Sequence, residues 1–489
     1  MSLTDRRDRE DPRDAGRPGR SAPAGDGSGR SDGTRTAESF GSGARILSIG
    51  IASTGLFTFA YLATSSHVLS PAAYSRISLC WAIMFVILSV IYRPIEQLLS
   101  RTIAGRRARG LLHSHPLRVP ATLQIGFAAA FLAISLALRH QIQQGMFDGS
   151  QTLYLILVVG VLAYAGSYFA RGWLAGHKRF ELYGGLVFVE ATSRFIPALV
   201  VAFGLASGQG AVGLGMAVAP FVSLSVLPFA FSRLRGRGPA GTPAADAALE
   251  GPANAALEEA SADLSLARGA DFAISVVGVM LAEQTLMNAG VLIVAARTGG
   301  VNLTTGLVGF VFNVMLIVRA PLQLFQAIQT SILPHLTSLD ARANAGEFAR
   351  AVRITVLAIA AFGLMVALGL LLVGPPVMRV VLGDRDPALS YGRLGLAAVG
   401  LGMGLHLVSG TLNQAALARG QARWAASAWL LSAALFVAFV ASGPSGGDPA
   451  ITRVELGYCG TTAVLCALLW LIYRRGRGQA APEAATIRA

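Results

Sequence analysis

Long apolar runs recur along the chain, and they are the feature that most constrains its fold. The stretches 46–66, 121–138 and 354–373 contain no charged residue. Each is close to the about 20 residues that an α-helix needs to cross about 30 Å of hydrocarbon. The 489 residues are 53% hydrophobic and 13% charged, whereas a soluble domain has about 25% charged residues. The sequence therefore predicts an integral membrane protein.

Hydropathy predicts an all-α polytopic membrane protein with about twelve transmembrane helices. The predicted helices are 46–66, 75–98, 120–138, 151–171, 182–203, 209–231, 270–296, 302–330, 352–374, 391–418, 423–442 and 453–473. A polar connection rich in Ala, Gly and Pro separates the first six from the last six. The predicted organisation is a disordered cytoplasmic tail at 1–43, an amino-terminal six-helix lobe at 44–232, a cytoplasmic linker at 233–268, a carboxy-terminal six-helix lobe at 269–475 and a cytoplasmic tail at 476–489.

The distribution of Lys and Arg predicts the orientation of the chain. Loops on one side carry basic clusters, for example at 101–118 and 474–477, whereas loops on the other side contain few cations. Because cytoplasmic loops carry the excess of Lys and Arg, both termini are expected in the cytoplasm of a multi-pass protein of the cell membrane. The formal net charge of +14 therefore reflects membrane topology, and no nucleic-acid partner is expected.

Two short segments suggest that the halves are structural repeats. Arg93-Pro94 near the end of the second helix and Arg319-Ala320-Pro321 in the eighth helix each place an Arg and a Pro within an apolar run. Transporters built from paired six-helix halves would produce such an echo.

Ionisable residues inside predicted membrane helices are the default candidates for a functional site, because a charge in hydrocarbon costs several kcal/mol without a partner or a wet cavity. These residues are Arg93, Glu96, Glu190, Arg194, Asp271, Glu283, Arg319 and His406. Glu190 and Arg194 are spaced i, i+4, so they are expected to neutralise each other on one helix face. Arg93 and Glu96 permit the same interpretation, and Asp271 is expected to cap the start of the seventh helix.

Arg319 and Glu283 have no opposite charge within four residues, so each needs a partner from elsewhere. They could pair with each other or line a functional cavity. Polar residues on the same two helices indicate a wet, inward-facing surface, and they are Gln284, Asn288, Asn313, Gln323 and Gln326. A cationic site there suits an anionic, phosphate-bearing ligand, which an Arg binds through its planar fork.

His406 has two interpretations. It could be a hydrogen-bonding partner in helix packing, or it could relay protons. The sequence contains no P-loop, HExxH or GxSxG motif with partners, and His113-Ser114-His115 lacks the further ligands of a metal site. We therefore expect neither an enzyme nor a cofactor or a metal.

Several segments carry a family resemblance. They are HVLSPAAYSRISLCWAI after the first helix, RGWLAGHKRFELYGGLVFVEATSRF across the fourth and fifth helices, VRAPLQLFQAIQTSILPHLTSL followed by GEFARAVR, and LVGPPVMRVVLGDRDPALSYGRLGLAAVGL. They resemble the oligosaccharide flippase family of the multidrug/oligosaccharidyl-lipid/polysaccharide exporter superfamily. The resemblance covers most of residues 44–475. It implies two six-helix lobes around a central cavity that opens alternately to the two sides.

The resemblance also implies a cargo, a polyprenyl-pyrophosphate-linked oligosaccharide that moves to the outer leaflet for cell-surface polysaccharide biosynthesis. Its partners would be the lipid bilayer and a glycan polymerase or glycosyltransferases. Arg319, Arg93 and Arg194 would bind the pyrophosphate or sugar acid groups, with Asn313 and Gln323 as further substrate-binding residues.

Other functions remain open at this point. A cation-coupled drug or small-molecule antiporter of the same superfamily would use Glu283, Asp271 or His406 as the ion-coupling group. A lipid II flippase is a further alternative, although the chain lacks the extra helix pair that such flippases often add. A membrane glycan polymerase or ligase would need a large outer loop, which the sequence does not contain. The tails could also serve a scaffolding role.

Overall fold

The computed structural model describes residues 50, 53–108, 117–228, 252–297, 305–319, 321–322, 345–383, 389–444 and 446–486, which belong to one compact unit. Every regular element within these residues is helical. The helices are α1 (53–68), α2 (Pro71–Ile87), α3 (Arg93–Ala108), α4 (Arg118–Ala137), α5 (Arg139–Phe147), α6 (Gln151–Gly176), α7 (Phe180–Ala202), α8 (Gly208–Leu224), α9 (Pro252–Ala296), α10 (Leu307–Arg319), α11 (Ala345–Leu382), α12 (Arg393–Ala418), α13 (Ala422–Ala441) and α14 (Gly447–Thr486).

These helices account for the predicted membrane spans. Within the described residues, nine segments are long and apolar enough to cross a membrane, one of them formed by α2 and α3 together. The shorter apolar helices α8 and α10 and the helix α1 match the other three predicted spans. The prediction of an all-α membrane protein with about twelve transmembrane helices in two lobes around a central cavity is therefore confirmed.

The two lobes repeat the same packing. In the first lobe α6 packs against α3, α4 and α8, and α7 packs against α8. In the second lobe α12 packs against α11 and α14, and α13 packs against α14. The apolar windows of α6 and α12 are both 72% buried, whereas those of α4 and α11 are 17% and 11% buried. Corresponding helices thus occupy corresponding positions, which supports the predicted repeat.

A π-helical turn at Leu88–Tyr92 joins α2 to α3 within one membrane span. Pro94 follows this turn, and it cannot donate a backbone hydrogen bond because its nitrogen carries no hydrogen. Arg93 is the residue before Pro94. Its backbone N–H donates to the carbonyl of Leu88, five residues earlier, which is the hydrogen-bond spacing of a π-helix. Such π-turns change which side chains share a helix face, and this one lies where Ser89 and Arg93 reach the central cavity.

Glycines allow helices to approach closely in both lobes. A Cβ atom added to Gly363 on α11 would lie 2.5 Å from the Cα of Gly404 on α12. A Cβ atom on Gly215 of α8 would lie 2.3 Å from the carbonyl oxygen of Arg194 on α7. Small residues are typical of helix interfaces in membranes, where van der Waals packing drives association.

The structure places the start of the seventh helix earlier than the sequence predicts. Helix α9 begins at Pro252, so the second half of the predicted linker 233–268 continues into the seventh span as one helix. Asp271 therefore lies inside this helix and is not its cap. The tail 1–43, the first part of the linker and the histidine pair at 113–115 lie outside the described residues. The division into five segments stays a prediction.

Candidate functional site

A cavity of about 360 Å³ lies between the two lobes. Helices α1, α2, α3, α6 and α7 line it from the first lobe, and α9 and α10 line it from the second. Its charged lining residues are Arg93, Glu96, Arg171, Glu190, Arg194 and Arg319. Four guanidinium groups against two carboxylates give this lining a formal charge of +2, so the cavity favours an anionic ligand.

Glu190 on α7 is the centre of the polar network in this cavity. Its Oε1 accepts a hydrogen bond from Arg194 Nη2 at 2.9 Å, which is the predicted i, i+4 ion pair. Its Oε2 accepts from Arg171 Nη2 at 2.5 Å and from Ser167 Oγ at 2.9 Å, both on α6. The carboxylate thus receives two cations and a hydroxyl, which compensate its removal from water.

Arg194 is enclosed by aromatic side chains and is 2% exposed. Its Nη2 donates to the Tyr164 hydroxyl at 2.5 Å, and its Cζ lies 5.1 Å from the ring centre of Trp81 and 5.7 Å from that of Phe85. This cation–π environment stabilises a desolvated guanidinium. Arg194 Nε has no hydrogen-bond partner among the described residues.

Arg93 and Glu96 do not form the predicted ion pair. Glu96 Oε1 instead accepts a hydrogen bond from the Tyr183 hydroxyl at 2.7 Å. In the part of the chain that the structure describes, no carboxylate lies within ion-pair distance of Arg93. Arg93 is part of the cavity lining.

Arg319 at the end of α10 is held by Asn288 of α9. Its Nη2 donates to Asn288 Oδ1 at 2.6 Å and to the Met287 carbonyl at 3.2 Å, and its Cζ lies 4.3 Å from the ring centre of Phe312. Arg319 Nη1 is buried with no hydrogen-bond partner among the described residues. The possible pairing of Arg319 with Glu283 is therefore not formed, because the neutral Asn288 amide takes that place.

The other predicted site residues lie elsewhere. Glu283 is half-buried on α9 and forms no ion pair within the described residues, although Arg93 acts on it electrostatically. The structure does not describe the side chain of Asp271 or any part of Gln323. Asn313 lies outside the cavity lining, in the contact between the lobes.

That contact, which we call the gate, comprises Tyr74, Ser75, Gly309, Asn313 and Tyr391. The Tyr74 hydroxyl donates to Asn313 Oδ1 at 2.5 Å, Asn313 Nδ2 donates to the Tyr391 hydroxyl at 3.3 Å, and the Gly309 N–H donates to Ser75 Oγ at 3.0 Å. These residues lie near the starts of α2, α10 and α12, whereas the cavity residues lie at the start of α3, in the second half of α6 and at the end of α10. The lobes are thus joined on the side away from the cavity.

His406 on α12 lies within the second lobe, away from the central cavity. Its Nδ1 lies 2.9 Å from the Tyr458 hydroxyl on α14, and the ring of Trp429 meets it edge-on at 5.3 Å between ring centres. This geometry accounts for His406 as a hydrogen-bonding residue in helix packing. Its Nε2 has no partner among the described residues.

Arg171 is a site residue that the sequence interpretation missed. The fourth predicted helix ended at 171, so this arginine counted as a loop cation. Helix α6 continues to Gly176, which places Arg171 inside the span and against Glu190. The hydrophobic residues Trp173 and Leu174 beyond it were the available signal.

Comparisons with known proteins concern the fold. No protein-family model and no curated protein matches the sequence. An outward-facing multidrug resistance MATE family transporter of the MOP superfamily matches with a TM-score of 0.59 and 14% identity, over 91% of this chain and 95% of that chain. An inward-facing one matches with a TM-score of 0.58 and 14% identity, over 90% and 99%. The bent form of the Vibrio cholerae MATE transporter VcmN matches with a TM-score of 0.53 and 15% identity, over 91% and 99%.

These identities are too low to carry a substrate from one protein to another. The likeness to these structures therefore concerns the fold, and the superfamily and the oligosaccharide flippase family both stay predictions from the sequence. The chain has the fold of the MATE transporters of the MOP superfamily.

Proposed function

We propose that the protein is an alternating-access membrane transporter whose central cavity binds an anionic, phosphate-bearing amphiphile. A polyprenyl-pyrophosphate-linked oligosaccharide is the specific candidate. The observation that carries this proposal is the cavity lining, in which four arginines face two glutamates. Small-molecule sites commonly have volumes of about 300–1,000 Å³, so a cavity of about 360 Å³ suits a pyrophosphate and its first sugar.

The arginines would have different roles. Arg194 and Arg171 are engaged by Glu190, so they set the local field and hold the cavity wall. Arg93 and Arg319 line the same cavity from different lobes and have no carboxylate partner among the described residues, so they would contact the phosphate oxygens. An Arg can bind phosphate through two parallel N–H groups, and Arg319 Nη1 is a buried donor that still lacks a partner among the described residues.

The gate supplies the alternating step. In this state it joins the lobes on one side while the cavity lies toward the other side, which the Lys and Arg distribution predicts to be cytoplasmic. Rocking of the lobes would separate Tyr74 from Asn313 and open the cavity to the outer side. Transport in this direction would deliver the cargo for surface glycan assembly by a glycan polymerase or glycosyltransferases.

A cation-coupled small-molecule antiporter is the second candidate, and the comparisons favour it. The neighbours named above are described as multidrug resistance or MATE transporters. In this function Glu283 or His406 would bind the coupling ion, and the aromatic wall of Trp81 and Phe85 would bind the apolar part of the cargo.

Flipping in proteoliposomes tests the first candidate against the second. A fluorescent polyprenyl-pyrophosphate oligosaccharide is the anionic probe, and ethidium is the cationic probe. We expect the native chain to flip the anionic probe, Arg319→Ala to lose this activity, and Glu283→Gln to keep it. Arg350→Ala is the matched control, because Arg350 is exposed on α11. Transport of ethidium but not of the anionic probe would overturn the proposal in favour of the antiporter.

A further inference from the structure

Glu455 is a buried carboxylate that the central cavity does not use. It lies on α14, two turns from the start of the helix, and is 3% exposed. A Cβ atom added to Gly395 on α12 would lie 1.8 Å from Glu455 Oε2. The carboxylate therefore fills the space that Gly395 leaves open, and any larger residue at 395 would expel it.

No cation compensates this carboxylate within the described residues. Two arginines at this end of the lobe are directed elsewhere: Arg297, directly after α9, donates to the Gly443 carbonyl at 2.7 Å, and Arg453 of α14 donates to the Phe439 carbonyl at 2.6 Å. Asp448, which acts on Glu455 electrostatically, adds a second negative charge. Among the side chains that the structure describes, the other charged groups and imidazoles on or next to the helices around α14 are Glu283 on α9, Arg393 and His406 on α12, Arg419 directly after α12, and Arg423 at the start of α13.

Two further ionisable side chains follow Glu455 along the same helix interface. Tyr458 is one turn further on α14, so it shares the face of Glu455. Its ring packs on Gly402 of α12, and its hydroxyl lies 2.9 Å from His406 Nδ1. His406 Nε2 has no partner among the described residues. Glu455, Tyr458 and His406 thus form a line that runs from the outer part of the α12–α14 interface into the lobe.

We propose that Glu455 is a proton-binding site of the second lobe, and that Tyr458 and His406 are the next groups on its path into the lobe. Binding one proton converts the carboxylate into a neutral carboxylic acid and needs no other reactant. An uncompensated charge is unfavourable in the closed α12–α14 interface. The state with the gate closed therefore retains the proton, and a state that exposes Glu455 to outer water releases it.

This proposal rests on the alternating-access part of the proposed function and is independent of the cargo. Infrared difference spectra of the full-length protein in lipid nanodiscs, recorded between acidic and alkaline buffer, test it without any substrate. We expect one carboxylic acid band of the native protein to be lost in Glu455→Gln and retained in Glu181→Gln, because Glu181 is exposed at the start of α7. Bands from other buried carboxylates cancel in the comparison of each variant with the native protein.

An unchanged carboxylic acid band in Glu455→Gln would overturn the proposal. Glu455→Asp keeps an acid group in a shorter side chain, so it serves if Glu455→Gln does not fold. We expect this variant to retain the band with a shifted titration midpoint. If the band of Glu455→Asp had the same titration midpoint as the native protein, this would also contradict a proton site in which the carboxylate packs against Gly395. Failure of these tests would leave anion binding in the central cavity unaffected.

Discussion

Arg194 and Glu190 lie one turn apart on α7, and Arg194 Nη2 donates to Glu190 Oε1 at 2.9 Å. Arg171 from α6 reaches the other carboxylate oxygen. One carboxylate therefore pairs with two guanidinium groups, one buried and one half-buried, and the wall of the cavity keeps a positive charge. This arrangement both stabilises the first lobe and sets the charge that a ligand meets.

Glu190→Gln should destabilise the first lobe. Removal of one partner from a buried ion pair costs about 3–5 kcal/mol, because the remaining charge is left without compensation. Thermal unfolding of the purified protein in detergent measures this as a lowered midpoint. Glu181→Gln should leave the midpoint unchanged, since Glu181 is exposed. Equal midpoints for Glu190→Gln and the native protein would contradict the stabilising role of the network.

Gly363→Ala should weaken the packing of α11 on α12. Its Cβ would lie 2.5 Å from the Cα of Gly404, and overpacking of this kind costs about 1–3 kcal/mol. Gly369→Ala on the same helix is the matched control, because a Cβ there meets nothing within 4 Å. Denaturant titrations should separate the two variants. Similar losses of stability in both would show that the helices do not touch at Gly363.

Tyr74→Phe should weaken the gate. It removes the hydroxyl that donates to Asn313, and a lost hydrogen bond costs about 0.5–1.5 kcal/mol. This shifts the balance between the closed and open gate by up to about tenfold. Spin-label distances between the starts of α2 and α10 measure the shift.

Tyr154→Phe controls for the loss of a buried tyrosine hydroxyl. Tyr154 donates to the Ser135 carbonyl at 2.9 Å within the first lobe, far in sequence from the gate residues. In Tyr154→Phe we expect the spin-label distances between the starts of α2 and α10 to match those of the native protein. A distribution that changes as much as in Tyr74→Phe would assign the effect to general loosening of the first lobe.

The membrane spans could be predicted because a single physical quantity, apolar length, determines them. The Glu190–Arg194 pair could be predicted because helical spacing places both residues on one face. The partners of Arg319 could not be predicted in this way, since periodicity identifies a helix face and not the side chain opposite to it. A neutral amide, Asn288, holds Arg319, although a carboxylate seemed equally suitable from sequence.

Two residues were missed for a related reason. Arg171 and Glu455 lie at the boundaries of predicted spans, where hydropathy cannot distinguish a loop charge from a buried charge. Asn313 is a polar residue in the middle of a span that the sequence grouped with the cavity, and its predicted role in substrate binding stays a prediction. The structure places it at the gate, where the two lobes supply its partners. Which polar residues face a cavity depends on contacts between lobes, and these are not local in sequence.

Binding of farnesyl pyrophosphate, a short isoprenoid pyrophosphate, to the full-length protein in nanodiscs tests the central claim most directly. Calorimetric titration should show binding to the native chain and to Arg350→Ala. Because hydrogen bonds to charged groups contribute about 1.5–3 kcal/mol, Arg319→Ala should weaken binding by about tenfold or more. Equal affinity in the native chain and Arg319→Ala, or no binding by either, would contradict a cavity that recognises phosphate.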